Sequence, residues 1–463
     1  MTVEFNQMHF FKLLYRKFNF RISLQALTIF AAFIGVLLEL HLSVLQEIFS
    51  SFGVFDGAVF VQARLVFGAI IIALTILNTL VNQIQLFKLS SFLFYLIFIL
   101  YITLIIWLNR GEFGFPLIRL DYTISAIEFW SPIVFKYLVF FCIGYNLILT
   151  LSYRWIYLAL TLLMFFVIYS YVDFETLSLD RSLYIPTANK GNYLFLGDAT
   201  AISSLIVLAC FRGNTFRIAF LILSLSVIFF IGSRTAFAVY FGVCLLFLVL
   251  IFKVRYVPFA VILLLIGGFI IQQTDFDELA DKNKRMVRIF TEFEDDTSIL
   301  AREKFAESGW EDIKNHPIRG RFAGQLNYFV IHEKSVWRTY MHNVFSYWRQ
   351  FGLLAMAILV YFLVKYVNTL RVLLREKSTP QYSVYFLLGI YLVTESVISR
   401  SFAFSSAHIF FGLIISFAYW QYRKVPLTSV RGAVYDGYRN YSEYEHSKPR
   451  RRKRRKYKRK LRH

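Results

Sequence analysis

The chain has 463 residues, 57% of them hydrophobic and only 17% charged, with 52 Phe and 29 Tyr; one soluble core of this length cannot bury that much apolar surface, so an integral membrane protein is expected and a soluble enzyme excluded. The net charge of +21 is concentrated in the tail, where residues 421–463 hold 16 Lys/Arg against 3 Asp/Glu and so carry 13 of those charges. Cys142, Cys210 and Cys244 all fall inside apolar runs without disulfide or metal spacing, so redox chemistry is not indicated.

A helix needs about 20 residues to cross the roughly 30 Å hydrocarbon layer. Apolar runs of about that length recur along the chain and predict an all-α polytopic membrane fold of about twelve spans. In chain order they are 24–45, 59–81, 89–108, 127–149, 155–171, 194–211, 218–231, 236–251, 257–271, 344–364, 382–398 and 404–420. Lys12, Arg16, Lys17, Arg21, Lys88, Arg154, Arg212, Arg217, Lys253, Arg255, Lys365, Arg371, Arg375 and Lys377 all fall on one side with the tail. That side is expected to be cytoplasmic, which puts both termini inside. The organisation is therefore 1–271 with spans one to nine, 272–341 as an extracytoplasmic segment, 342–420 with spans ten to twelve, and 421–463 as a basic tail. Nucleic acid could be read from such a tail, but a disordered juxtamembrane segment held to anionic lipid head groups, at about 1 kcal/mol per charge, explains it with less.

The segment 272–341 opens with a D-x-D, Asp275 and Asp277, a pattern that can hold Mg²⁺ or Mn²⁺; lying in a run of mixed charge, it reads better as a solvated loop, and no metal or other cofactor is expected. SILAREKFAESGWEDIKNHP then predicts an amphipathic helix, started by cap oxygens at 296–298 and stopped at Asn315-His316-Pro317. Ile299, Ala306, Trp310 and Ile313 form its apolar stripe, and Arg302 lies with them, which calls for an anionic partner.

Ionisable groups inside spans cost at least about 2.5 kcal/mol each, so their placement is informative. Glu39, His41, Arg64, Asp198, Arg234, Glu395, Arg400 and His408 all map to the extracytoplasmic half, which predicts a polar cavity beneath the long segment. Snorkelling to the interface is the competing explanation, strongest for Arg64 and Arg400 and weakest for the short acids. Arg234, beside Gly232 and Ser233 in FIGSRTAF, sits where backbone and guanidinium together could hold a phosphate oxygen. Arginines facing the outer leaflet suit a lipid diphosphate, whose developing charge they would stabilise as the sugar–oxygen bond breaks. His342, at the predicted start of span ten, would supply the base. The positive helix end and nearby arginines keep it neutral, with Asn343 or Glu395 to fix its tautomer. His316 and His332 are the competing bases.

FIGSRTAF at a span end, then AREKFAESGWEDIKNHPIRG, then MHNVFSYWRQFGLLA before a final group of three spans, resembles the O-antigen ligase and O-antigen polymerase superfamily. The resemblance covers about residues 230–352. It implies a GT-C-like helical fold and transfer of an undecaprenyl-diphosphate-linked glycan onto a glycan or lipid-linked hydroxyl at the outer face of the bacterial inner membrane. It further implies that Arg234 and Arg302 hold the donor diphosphate and that His342 activates the acceptor. Where the family tends to have G-x-G after His-Pro, this chain has Gly320-Arg321-Phe322, which leaves Arg321 as an extra phosphate contact; Arg64, Arg400 and Glu395 complete the expected substrate site. A polymerase is favoured over a ligase, with a chain-length regulator as a further partner. Protein O-oligosaccharyl transfer, or a transporter or flippase without chemistry, are the alternatives; the concentration of charge in one leaflet argues against the last, because repeat-built transporters place their sites near the midplane.

Overall fold

The computed structural model describes residues 20–41, 57–81, 90–109, 115–116, 123–124, 126–176, 178–179, 193–211, 213–252, 297–322, 343–373, 380–398 and 405–422. Twelve helices run through them: α1 Phe20–Leu40, α2 Gly57–Val81, α3 Ser90–Leu108, α4 Ala126–Thr150, α5 Arg154–Ser170, α6 Tyr193–Cys210, α7 Asn214–Ile231, α8 Arg234–Phe252, α9 Thr297–Asn315, α10 Phe345–Leu373, α11 Pro380–Ile398 and α12 His408–Tyr422. Short 3₁₀ turns stand at Leu151–Tyr153 and Ser405–Ala407, and two-residue antiparallel ladders pair Phe115–Pro116 with Thr123–Ile124 and Val172–Asp173 with Ser178–Leu179. Among the described residues, seven runs are long and apolar enough to cross a membrane; one of them, Ser131–Ser170, covers both α4 and α5. Leu24–Leu40, Arg234–Val249 and Ser405–Phe417 are shorter apolar helices. The chain is thus an all-α polytopic membrane protein. The ninth expected span, 257–271, lies outside the described residues, as do Asp275, Asp277 and nearly all of the basic tail. The described residues up to Tyr419 belong to the larger of two units.

Two helices organise the larger unit. α6 packs against α1, α5, α7, α8 and α11, and every residue from Leu196 to Cys210 is buried. Its sequence explains this, because Gly197, Ala199, Ala201, Ser203, Ser204 and Ala209 let neighbouring helices approach closely. Two of its hydroxyls cost little in an apolar setting: Thr200 donates to the Leu196 carbonyl at 2.7 Å and Ser204 to that of Thr200 at 2.7 Å. α4 is the second centre, packing on α1, α2 and α3. It crosses α12 in backbone contact, since a side chain at Gly144 would overlap the Ile409 carbonyl and one at Gly412 the Phe141 carbonyl. Asn146 ties α4 to α2 by donating to Thr75 Oγ1 at 3.0 Å. The three cysteines are free and buried in these interfaces.

α10 is not continuous. Gly352 has φ 77° and ψ −170°, which splits the helix into 345–351 and 353–373. The span expected over 344–364 is present as the apolar run Phe345–Leu370, with this break inside it. The turn after α9 fills the break: Leu353 N–H donates to the Ile318 carbonyl at 3.2 Å and Arg321 N–H to the Arg349 carbonyl at 2.6 Å. Tyr101 of α3 donates to the Phe351 carbonyl at 2.7 Å. Three backbone groups at the break are therefore satisfied from outside the helix, as apolar surroundings require.

Candidate active site

Several of the acids and arginines expected to gather do share one end of the helical body. Glu39, at the end of α1 and 3% exposed, accepts both Nε of Arg64 at 2.7 Å and its Nη2. Lys136 of α4 is within electrostatic reach of this pair. The Arg64 guanidinium lies 6.0 Å from the ring centre of Phe195, near the start of α6. One turn further along α6, Asp198, 1% exposed, accepts from the Tyr391 hydroxyl of α11 at 2.9 Å. Glu395, one turn beyond Tyr391, is buried on the same helix. His41, just past α1, is buried with neither ring nitrogen bonded to a partner.

The turn between α7 and α8 joins this end. Gly232 caps α7 in the left-handed conformation, φ 74° and ψ 23°, with its N–H donating to the Phe229 carbonyl at 2.9 Å. A glycine in that place reverses the chain without strain. Ser233 follows, and α8 begins at Arg234. Gly197 of α6 lies directly against Ser233, where any side chain would overlap the serine Cβ and hydroxyl. The contact sets the α7–α8 turn against the start of α6, where Asp198 follows Gly197 in sequence as Arg234 follows Ser233. Ser233 is fully buried and its hydroxyl has no hydrogen-bond partner. A helix N-terminus beginning on an arginine, beside an unengaged buried hydroxyl, offers an anion amides, a guanidinium and a donor together.

A second charged cluster joins α9 to α10. Asp312 of α9 accepts from Arg321 Nη1 at 2.7 Å on one oxygen; its other oxygen takes Nε of Arg349 at 2.7 Å and Nη2 at 2.6 Å. Around them Trp310 meets Phe345 at 4.9 Å between ring centres, and Trp348 Nε1 donates to the Pro317 carbonyl at 2.8 Å. Gly320, at φ 71°, lies against the backbone of residues 350–352, and buried Phe322 stands 6.0 Å from the Phe351 ring. The unusual Gly320-Arg321-Phe322 thus packs as a backbone plug for the break in α10.

The predicted residues divide accordingly. Arg234 and Glu395 stand at the end where Asp198 does. Arg64 is held by Glu39, and Arg321 by Asp312, so each already has a carboxylate partner. α9 ends at Asn315, as the His-Pro signal predicts, but its buried face differs from the expected stripe. Trp310 is 39% exposed, whereas Gly309, Asp312 and Ile313 are buried, because the facing Arg349 draws a carboxylate into that face. Position 302 shares the face by register; its side chain, and all of Arg400 and His342, lie outside the described residues. Asn343 next to His342 is described: its side-chain oxygen accepts from Phe345 N–H at 3.1 Å, so it caps α10. His316 is exposed, and His332 is not described.

His408 corrects the expectation that it belongs to the polar cavity. It stacks on Tyr137 at 3.7 Å between ring centres, with Nδ1 3.0 Å from the Tyr95 hydroxyl and Nε2 3.4 Å from that of Tyr347. Both nitrogens are occupied inside an aromatic box. Sequence reasoning missed Asp312, Arg349 and Tyr391. The first two carried a usable signal, an acid at stripe spacing on one helix and an arginine amid aromatics on the next; Tyr391 carried none.

The stretch that builds both the α7–α8 turn and the α9–α10 junction, residues 219–360, matches the family model of O-antigen ligase. The match bears out the resemblance to the O-antigen ligase and polymerase superfamily that the motifs carry, and it supports a ligase- or polymerase-type function in general. No curated protein matches the sequence.

Proposed function

We propose, from the O-antigen ligase match over residues 219–360, that the chain is a glycosyltransferase that moves an undecaprenyl-diphosphate-linked glycan onto a sugar hydroxyl. The reaction takes place at the outer face of the bacterial inner membrane, in a GT-C-like fold with both termini cytoplasmic. The observation that carries the reading is the α7–α8 turn, where Arg234 opens a helix beside the buried, unengaged Ser233 hydroxyl. There Arg234 and the first amides of α8 hold the donor diphosphate, with Arg302 as a second cation on it. His342 takes the proton from the acceptor hydroxyl as its oxygen attacks the anomeric carbon. The bond from that carbon to the diphosphate oxygen breaks, and undecaprenyl diphosphate leaves with the electron pair. A single direct displacement inverts the anomeric centre, and the arginines carry the leaving-group charge without a metal.

A polymerase, with a second lipid-linked glycan as acceptor and a chain-length regulator as partner, is the favoured form. The family description keeps a ligase as the second reading. The glycans of a deletion strain separate them: single repeat units mark a lost polymerase, accumulated long donor chains a lost ligase. The chemistry is tested with purified protein in EDTA. His342→Ala should stay monodisperse and lose transfer by at least about 100-fold, within the range expected for a general base; Arg302→Lys should fail as well. A fully active His342→Ala would remove the assigned base.

A further inference from the structure

The carboxylate of Asp312 holds together two parts of the chain that the proposed reaction needs in register. Asp312 is 5% exposed and Arg349 is 2% exposed, so each is buried against the other, and Arg349 Nη2 also reaches Ser308 Oγ at 3.4 Å. What this pair grips is the segment 345–351, which Gly352 cuts off from the rest of α10. A helix continuous with its span would have its N-terminus fixed by its own ladder. This segment is fixed from the side instead, by Asp312, by Arg321 N–H on the Arg349 carbonyl, and by Trp348 on the Pro317 carbonyl. Its cap is Asn343, and residue 342 is joined directly to that cap. The other side of the grip is α9, where position 302 is in register with Gly309 and Ile313 and about a quarter turn around the helix from Asp312.

We infer that Asp312 is a positioning residue: through Arg349 it sets the orientation of segment 343–351, which follows directly on the base proposed at 342. The inference rests on the glycosyl-transfer reading and adds a residue that neither touches substrate nor moves a proton. Transfer depends steeply on alignment, since a misplacement of about 1 Å can cost about 100-fold in rate. The carboxylate therefore acts on turnover and leaves ground-state donor binding largely intact.

The test uses the full chain in lipid nanodiscs, with an undecaprenyl-diphosphate-linked oligosaccharide as donor and release of undecaprenyl diphosphate as readout. Asp312→Asn should lower turnover per folded molecule about 10- to 100-fold, with the donor KM within about threefold of wild type. In the same variant, amide hydrogen exchange should accelerate at least about tenfold in peptides covering 316–322 and 345–353 and stay unchanged in α6. Normal turnover, lost turnover with unchanged exchange at the junction, or faster exchange throughout α6 would each overturn the proposal. If Asp312→Asn does not fold, Arg349→Lys, which keeps the charge but loses the Nε bond, is read by the same criteria. A wild-type chain that releases no undecaprenyl diphosphate sinks the glycosyl-transfer reading instead. The exchange measurement then decides the clamp by itself, faster junction exchange supporting it and unchanged exchange rejecting it.

Discussion

Replacing Gly352 by alanine should undo the junction between α9 and α10. The residue sits at φ 77°, ψ −170°, a region that is essentially glycine's alone, where a Cβ carries strain on the order of 1–3 kcal/mol. The added carbon would also overlap the Ile318 carbonyl oxygen and come within 2.6 Å of the Arg319 carbonyl carbon. Either the turn at 316–321 withdraws, or residue 352 turns helical and α10 straightens. Both outcomes break the bonds from Leu353 N–H to Ile318 and from Arg321 N–H to Arg349, worth about 0.5–1.5 kcal/mol each. If the turn withdraws, strain and both bonds together cost on the order of 2–6 kcal/mol, a large share of the roughly 5–15 kcal/mol that holds a typical domain; if α10 straightens, the strain is relieved and the two bonds alone are lost. Gly242 in α8 provides the control, since nothing lies within 4 Å of an added Cβ there and alanine should gain about 0.5–1 kcal/mol. Amide exchange at 316–322 and 345–353, together with emission from Trp310 and Trp348, should report the opening in Gly352→Ala and not in Gly242→Ala. A Gly352→Ala protein with wild-type exchange and thermal midpoint would refute the argument that the break depends on glycine.

Arg64→Ala should leave Glu39 buried and uncompensated and cost about 3 kcal/mol, at the low end for a buried pair because Arg64 is partly exposed; the double variant Glu39→Gln/Arg64→Met should recover most of it, which thermal unfolding in detergent would measure as a double-mutant cycle. Tyr391→Phe removes one donor from Asp198 and should cost about 1–3 kcal/mol by the same assay; an unchanged midpoint would mean that the bond contributes nothing net to stability.

The membrane character of the chain was legible in advance because hydrophobicity sums over many residues and tolerates local error. Every expected span that falls within the described residues coincides with an apolar helix, and α9 stops where Asn315-His316-Pro317 says it must. The break in α10 was not legible. FGLLA reads as helix onset, and only the docked turn at Gly320 supplies the backbone contacts that make an extended glycine preferable to a helical one. The pairing of Arg321 was not legible for a related reason. A cation beside a predicted phosphate site invites a substrate role, yet its partner Asp312 sits nine residues earlier, on a helix face whose burial depends on α10. Pairings such as Glu39 with Arg64, or Asp198 with Tyr391, join residues on different helices, so helical periodicity carries no information about them.

The two charged clusters solve the same physical problem in different ways. At the end formed by α1, α2, α6 and α11, acids are matched by an arginine or a tyrosine, while the α7–α8 turn keeps the Ser233 hydroxyl unengaged at a cationic helix start. A buried donor without a partner costs free energy that a bound anion would return, which is the property a binding site needs. At the α9–α10 junction the carboxylate and both guanidiniums satisfy one another, which yields rigidity and leaves little to offer a ligand. On the proposed reading, binding belongs with the first arrangement and alignment with the second. The glycosyl transfer proposed above needs both, a place that holds a diphosphate and a junction that aims a base.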